Sequence, residues 1–332
     1  MSEISKVYLV GAGSGDPELL TLKGLRVLQD ADVVIYDRLA NPILLYLTKA
    51  CAQLINVGKA PKHHQKTQAE IEQLMISAYK NGQIVVRLKG GDPAIFGRVG
   101  EEVLALKKSG IPYEVVPGVT AASAATSYAD IFITHRKIAE RVLIMTPRQT
   151  LQDLSETDFP KILLDTTVVI YMGVSSLPEL AHLLTIQGVS GDIPIALIEN
   201  GTRGYQRTLI THLSVLLADL AKTAIQNPAL IVIGQTVGLR SDVSESWFEA
   251  LPKFGQRILL VSTLQPSLDD LTSLTSQGAD VWAVIVGSAR QTRFDALDAE
   301  NLQQPFSQVI YQNGATELEL EKLKKELIKD DA

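Results

Sequence analysis

Short runs of β-branched and aliphatic residues recur along the chain, separated by segments whose apolar positions return every three or four residues. Val7–Val10 and Val33–Tyr36 flank residues 17–29, where Leu19, Leu20, Leu22, Leu25, Val27 and Leu28 fall at broadly helical spacing. That pattern predicts a β-α-β unit. Leu54–Val57, a helix over 68–81, Ile84–Leu88, a helix over 100–109 and Tyr113–Val116 extend it. Short strands that are apolar throughout and alternate with helices predict a parallel sheet covered on both faces.

Pro117-Gly118 interrupts the pattern, and the small-residue stretch 120–127 reads as a helix that must pack closely against something. A second set follows, with strands at 141–145, 167–171, 193–198, 208–211 and 229–233 and helices around 177–187 and 215–223. After Trp247-Phe248 the alternation repeats on a smaller scale: strand 257–262, helix 268–276, strand 281–286, strand 308–311 and a charged helix over 317–328. The last helix alternates Glu and Lys at i,i+3 and i,i+4 spacings, which reads as a solvated face. The expected division is an N-terminal lobe over 1–117, a second lobe over 118–248 and a small extension over 249–332, the extension having room for only a modest core. The fold class expected is α/β: two sheet-based lobes with a ligand site in the cleft between them, plus a small C-terminal α/β extension.

Composition narrows the function classes. The chain has 332 residues, 46% of them hydrophobic, and a formal net charge of -6. An acidic average argues against general nucleic-acid binding, which depends on neutralising phosphates, although a basic pocket remains possible. The single cysteine, Cys51, excludes an internal disulfide and reads as an inert thiol of a reducing compartment. The polar start runs straight into a strand without the progression of a signal peptide, and no apolar run reaches the roughly 18 residues of a membrane span. A cytoplasmic protein without membrane contact is expected. His63 and His64 have no companion at metal-ligand spacing, so no metal is expected.

Two glycine-rich turns follow apolar strands: Val10-Gly11-Ala12-Gly13-Ser14-Gly15-Asp16-Pro17 and Lys89-Gly90-Gly91-Asp92-Pro93. Glycines in such places let a ligand approach main-chain amides, and a neighbouring carboxylate can take a hydroxyl or an ammonium. As a dinucleotide fingerprint the first turn is weak. Its third glycine is missing, and the acidic residue at the ribose position is Asp37, within Tyr36-Asp37-Arg38. In the second turn, capping accounts for Gly91, Asp92 and Pro93 but not for Gly90, Gly97 and Arg98 together.

Ordered words along the chain carry a resemblance: VGAGSGDPELLTLK (10–23), ADVVIYDRL (31–39), VGK (57–59), VVRLKGGDP (85–93), VVPGVTAASA (115–124), THR (134–136), YMG (171–173), ALIENGT (196–202) and PALIVIG (228–234). Over about residues 5–248 the chain resembles the uroporphyrinogen-III C-methyltransferases of the tetrapyrrole methylase superfamily. The resemblance implies the tetrapyrrole methylase fold, S-adenosylmethionine as methyl donor with S-adenosylhomocysteine as its product, uroporphyrinogen III as substrate, precorrin-2 as product, and a homodimer. It places the cofactor at Ser14, Gly90, Gly91, Asp92, Ile95, Thr120, Ala121, Met172 and Gly201, with Ala196 and Ala229 lining the adenine. The family's proton acceptor falls on Asp37 and its proton donor on Lys59, for which pairing with a substrate carboxylate is the alternative role. Because the substrate carries eight carboxylates, the pocket is expected to be basic, with Arg38, Lys89, Arg98, His135 and Arg136 as its contacts and Lys62, His63 and His64 as further candidates.

The chain departs from the family's pattern at Ser14, Ala94, Val99, Phe132 and Pro147. These departures leave room for a methylase of a later corrin precursor or for a non-catalytic sensor of the cofactor or of a tetrapyrrole. The words Pro252–Val261 resemble the opening of uroporphyrinogen-III synthase, which marks the extension as a remnant or an interaction module.

Overall fold

The computed structural model describes residues 6–58, 66–147, 157–240 and 245–328. The chain forms two compact units, one made of residues up to Thr120 together with those from Pro252 onward, the other of Ala121–Leu251.

The first unit contains a five-stranded sheet of β1 (Val7–Gly11), β2 (Val33–Tyr36), β3 (Gln53–Asn56), β4 (Val85–Lys89) and β5 (Tyr113–Val116), in the order β3-β2-β4-β1-β5 and parallel throughout, as the apolar runs predict. Its strands connect through α1 (Leu22–Gln29), α2 (Gln68–Lys80) and α3 (Val99–Lys108). Alternate strand residues go to opposite faces. Val7, Leu9, Val33, Ile35 and Val85 meet Ile71, Met75 and Leu106 of α2 and α3, while Val10, Val34, Tyr36, Val86 and Leu88 meet α1 through Val27 and Leu28. The connection after β2 heads for β3 and the one after β4 heads for β5, in opposite directions across the sheet. Parallel α/β sheets open their ligand crevices at the carboxyl ends of strands that diverge in this way.

Between β2 and β3 runs a 3-10 helix, Pro42–Leu47, whose Ile43, Leu44, Leu45, Tyr46 and Leu47 are all buried. A helix that is apolar all round must be covered on every side, and the C-terminal segment supplies one cover. Strands β11 (Arg257–Ser262), β12 (Asp280–Ile285) and β13 (Gln308–Gln312) form a parallel sheet in the order β12-β11-β13. Tyr46 stacks on Phe294 at 4.2 Å between ring centroids and meets Trp282 edge-on. The Tyr46 hydroxyl donates to the Ala283 carbonyl and lies 3.3 Å from Asp298 Oδ1. Arg293 Nη1 donates to Thr48 Oγ1 and to the carbonyls of Lys49 and Ala52, and Gln265 donates to the carbonyls of Tyr46 and Thr48. The segment thus packs into the core of the first unit. Helix Asp295–Leu302, which the sequence pattern did not predict, carries Asp298 and Leu302 into that core.

The second unit holds β6 (Arg141–Met145), β7 (Thr166–Tyr171), β8 (Pro194–Glu199), β9 (Arg207–His212) and β10 (Ala229–Ile233) in the order β6-β7-β10-β8-β9. Only β6 and β7 are parallel; the other pairs are antiparallel. The small-residue stretch forms α4 (Ala121–Tyr128), and its Ala122 and Ala125 press on Ala196, Ile198 and Val232 of one sheet face. Helices Leu177–Ile186 and Leu216–Thr223 cover the other face.

Candidate active site

In the first unit the two glycine turns are joined directly. Register aligns Gly11 with Lys89, and beyond the strands Gly91 N donates to Gly13 O at 2.7 Å, with Gly13 N returning a bond to Gly91 O at 3.3 Å. The turn after β5 completes the junction. A Cβ on Gly118 would lie 2.3 Å from Gly91 O, and one on Gly11 would lie 2.6 Å from Gly118 Cα. A Cβ on Gly90 would lie 2.6–2.9 Å from Leu39. Three chain segments therefore meet where only side-chain-free residues fit. Asp92 staples them, Oδ1 accepting from Ala94 N at 2.7 Å and Oδ2 from Gly118 N at 3.0 Å. Gly91 and Asp92 accordingly hold the turn together, whatever ligand they also serve.

Asp37 follows β2 directly. Its Oδ1 accepts from the amides of Leu39 and Ala40, and its Oδ2 accepts from Arg87 Nη2 at 3.3 Å. The side chain stays 27% exposed. Arg87 and Lys89 sit on one side of the central strand β4, and both are only 4% exposed. Between them lies Glu102, fully buried in the first turn of α3, where the helix dipole favours an anion. Glu102 accepts from Arg87 Nε at 3.1 Å and from Lys89 Nζ at 3.0 Å to each oxygen. Burial, and secondarily the Arg87 charge, hold the Lys89 ammonium below the usual lysine range, against the pull of Glu102. Lys89, expected among the substrate contacts, supports the turn from beneath in this arrangement.

The remaining candidates of this unit lie around the same strand ends. Arg38 and Arg98 are exposed, Ile95, Ser14 and Thr120 are half-buried, and Arg98 pairs bidentately with Glu101 at 2.8 and 2.6 Å. Leu39 and Phe96 stand open to solvent at 58% and 44% exposure. Phe96 and Arg98 have φ of 55° and 56°, a left-handed backbone that large residues avoid and that concentrates at functional sites. Lys59, with Lys62, His63 and His64, lies outside the described residues.

In the second unit Met172 turns outward after β7 with φ 55° and 45% exposure. Tyr171 Oη accepts from Ala122 N at 2.6 Å, near the start of α4. Gly201, between Asn200 (φ 50°) and Thr202 (φ 67°), sits where a Cβ would lie 2.3 Å from the Ala125 methyl. The turns bearing Met172 and Gly201, and the half-buried Ala121, thus gather about α4. Ala229 is half-buried at the start of β10. Ala196, expected against an adenine ring, is fully buried in the sheet core with Ala122 and Val232, so its methyl is a packing element. His135 and Arg136 are exposed in a tight turn closed by paired bonds between the His135 and Ala139 main chains. Among the described residues no group of three or more His, Cys, Asp or Glu could hold a metal, and no helix is long and apolar enough to cross a membrane.

Arg87 and Glu102 are absent from the sequence-derived set. The signal lay in the word Arg87-Leu88-Lys89: two cations at alternate positions of an otherwise apolar central strand demand a buried anion on that face.

The family model described as Tetrapyrrole (Corrin/Porphyrin) Methylases matches residues 6–216. The chain is 42% identical over 277 residues to the uroporphyrinogen-III C-methyltransferase of Bacillus subtilis strain 168, covering 83% of this chain and 57% of that protein. It is 43% identical over 236 residues to a siroheme synthase of Hydrogenovibrio crunogenus, covering 71% and 50%. The chain thus spans about half the length of the curated relatives it matches. Among solved structures, the uroporphyrin-III C-methyl transferase from Thermus thermophilus in complex with S-adenosylhomocysteine superposes with a TM-score of 0.60 at 36% identity, over 70% of this chain and 99% of that one. A cobalt-precorrin-4 methyltransferase superposes with a TM-score of 0.61 at 27% identity, over 70% and 95%. With the matched region running through both units, the chain belongs to the tetrapyrrole (corrin/porphyrin) methylases.

Proposed function

We propose that this chain transfers methyl groups from S-adenosylmethionine to two pyrrole carbons of uroporphyrinogen III, giving precorrin-2 and S-adenosylhomocysteine. The observation that carries the reading is Asp37, a half-buried carboxylate at the carboxyl end of β2, beside the side-chain-free pair Gly90-Gly91 at the point where the strand connections diverge. The residues of the first unit fit such a cofactor: Cβ-less main chain at Gly90 and Gly91, with exposed apolar Leu39 and Phe96, suits a folded ligand of mixed polarity. The cofactor supplies a sulfonium methyl: the carbon–sulfur bond breaks as the carbon–carbon bond forms, sulfur leaves as a neutral thioether, and the cationic macrocycle must shed a proton.

The chain's own task is to align donor and acceptor and to receive that proton. Asp37, its Oδ1 tied to two amides, offers Oδ2 as acceptor. Arg38 and Arg136 are exposed cations suited to substrate carboxylates, with the exposed His135 as a further polar contact, and Arg98 can join them by exchanging its partner Glu101. Lys59 belongs to the same set, as a proton donor or as a carboxylate partner. Ser14, Ile95, Thr120, Ala121, Met172, Gly201 and Ala229 remain the proposed cofactor contacts. The similarity to siroheme synthases favours a route to sirohaem, with cobalamin the other outlet of the same product. Cytoplasmic location, a homodimer and a synthase-like origin for the C-terminal segment complete the proposal.

Incubating the purified chain with enzymatically generated uroporphyrinogen III and labelled S-adenosylmethionine should place label in a dimethylated product. Cofactor binding by calorimetry without any transfer would overturn the reading in favour of a sensor, and transfer only to a more highly methylated acceptor in favour of a later-stage methylase. Asp37→Ala is expected to lower kcat by about 100-fold, within the usual contribution of a general base, while leaving cofactor affinity within about twofold.

A further inference from the structure

We propose that Arg87, anchored from beneath by Glu102, is the positioning residue that sets the orientation of the Asp37 carboxylate and the charge it faces. The inference rests on the proposed role of Asp37 and adds residues that neither the sequence words nor the family resemblance assigns.

All three guanidinium nitrogens of Arg87 are engaged in different directions. Nε donates to Glu102, Nη1 to the carbonyls of Ile35 at 3.3 Å and Leu88 at 3.0 Å, and Nη2 to Asp37 Oδ2 at 3.3 Å. A planar fork held at so many points cannot rotate without losing several bonds. It bridges the ends of β2 and β4, the two strands between which the connections diverge. Asp37 is likewise held at both oxygens, so its carboxylate plane is fixed while one flank stays open. The groups facing it are Arg87 from β4, with Lys89 of the same strand acting at longer range, and the amides of Leu39 and Ala40 from its own turn.

Charge balance explains why Glu102 is needed. Two buried cations on a central strand would repel each other and draw Asp37 inward; Glu102, bonded to both, neutralises one positive charge. The guanidinium charge left toward Asp37 draws its Oδ2 onto the fork and holds the carboxylate in one orientation. A pair serving the fold alone would have no need to extend a nitrogen to a partly exposed carboxylate.

Arg87→Gln removes the charge facing Asp37 while leaving the Lys89–Glu102 pair intact. With the fork gone, kcat should fall about tenfold while the KM for uroporphyrinogen III and the cofactor affinity stay within about twofold. Arg87→Lys keeps the charge without the planar fork, so it should fail to restore kcat. The carbon-13 shift of the Asp37 carboxyl, compared at one pH in the wild-type chain and in Arg87→Gln, reads the Arg87 contact independently of turnover and should differ between them. Unchanged kcat and an unchanged carboxyl shift in a folded Arg87→Gln protein would overturn the inference and leave the pair purely structural. A wild-type chain without methyl transfer would instead overturn the proposed function, while the carboxyl shift would still decide whether Arg87 positions Asp37.

Discussion

Asp298 is a carboxylate whose surroundings favour its neutral form. It is 4% exposed, and burial, opposed by bonds from Trp282 Nε1 and Tyr46 Oη, pushes its pKa up to about 7. A carboxyl that binds its proton more tightly folded than unfolded stabilises the fold most below its unfolded pKa near 4 and loses that contribution as pH rises through about 7. Thermal unfolding followed from pH 5 to pH 8 should therefore show declining stability. Asp298→Asn, which stays neutral, should flatten the slope and unfold at a higher temperature at pH 8, with a gain of up to about 4 kcal/mol if the full shift is recovered. A steeper slope in the variant would mean that other groups govern the pH response. Neither Asp298 nor Glu102 was legible as a buried group, because Glu102 reads only as an acidic residue of a helical stretch and Asp298 lies where the pattern predicts no element. Burial was set by partners remote in the chain, Tyr46 in one case and the strand of Arg87 in the other. The turns that bear Asp37, Gly90 and Asp92 were legible from local turn chemistry, while the roles proposed for these residues came from the resemblance.

At the scale of elements, local pattern served best where strands are buried on both faces. Val33–Tyr36, Ala229–Ile233 and Arg257–Ser262 run where the apolar stretches predict, as does the half-buried edge strand Arg141–Met145. Pattern said less about pairing: the predominantly antiparallel second sheet follows from long-range register, to which composition is blind. The 3-10 helix Pro42–Leu47 had no predicted counterpart, since an unbroken apolar run carries no period. The junction of three turns is the element most sensitive to small change, because its close contacts are main chain to main chain. Gly118→Ala would drive a methyl against Gly91 O and Gly11 Cα. Overpacking of this kind costs about 1–3 kcal/mol, and displacing the Gly90–Asp92 turn should weaken S-adenosylmethionine binding at least tenfold. Calorimetry on the folded variant checks this, and wild-type affinity would show that the junction tolerates separation.

For the whole molecule, the decisive feature is that the first unit is discontinuous in sequence. The C-terminal segment contributes Trp282, Phe294 and Asp298 around Tyr46, and Arg293 closes over the carbonyls of Lys49 and Ala52. A chain ending at Leu251 leaves Tyr46 and its apolar neighbours uncovered. It is expected to lose cooperative unfolding in calorimetry, to bind a hydrophobic dye and to lose methyl transfer, whereas a truncated chain that melts and turns over like the full one would make the segment dispensable. Had the segment been an appendage, the apolar run at Ile43–Leu47 would have had no reason to be apolar on every side.

The discontinuity also bears on synthesis at the ribosome. By the time Thr120 has emerged, five strands of the first sheet are available, but the residues that cover Tyr46 have not been made, and the whole of Ala121–Leu251 must be translated first. At about 5–20 residues per second that interval is on the order of ten seconds, during which the nascent chain carries an open apolar surface. A chaperone that holds such a surface, or early folding of the second unit while the first waits, would then govern how much of this protein reaches its native state.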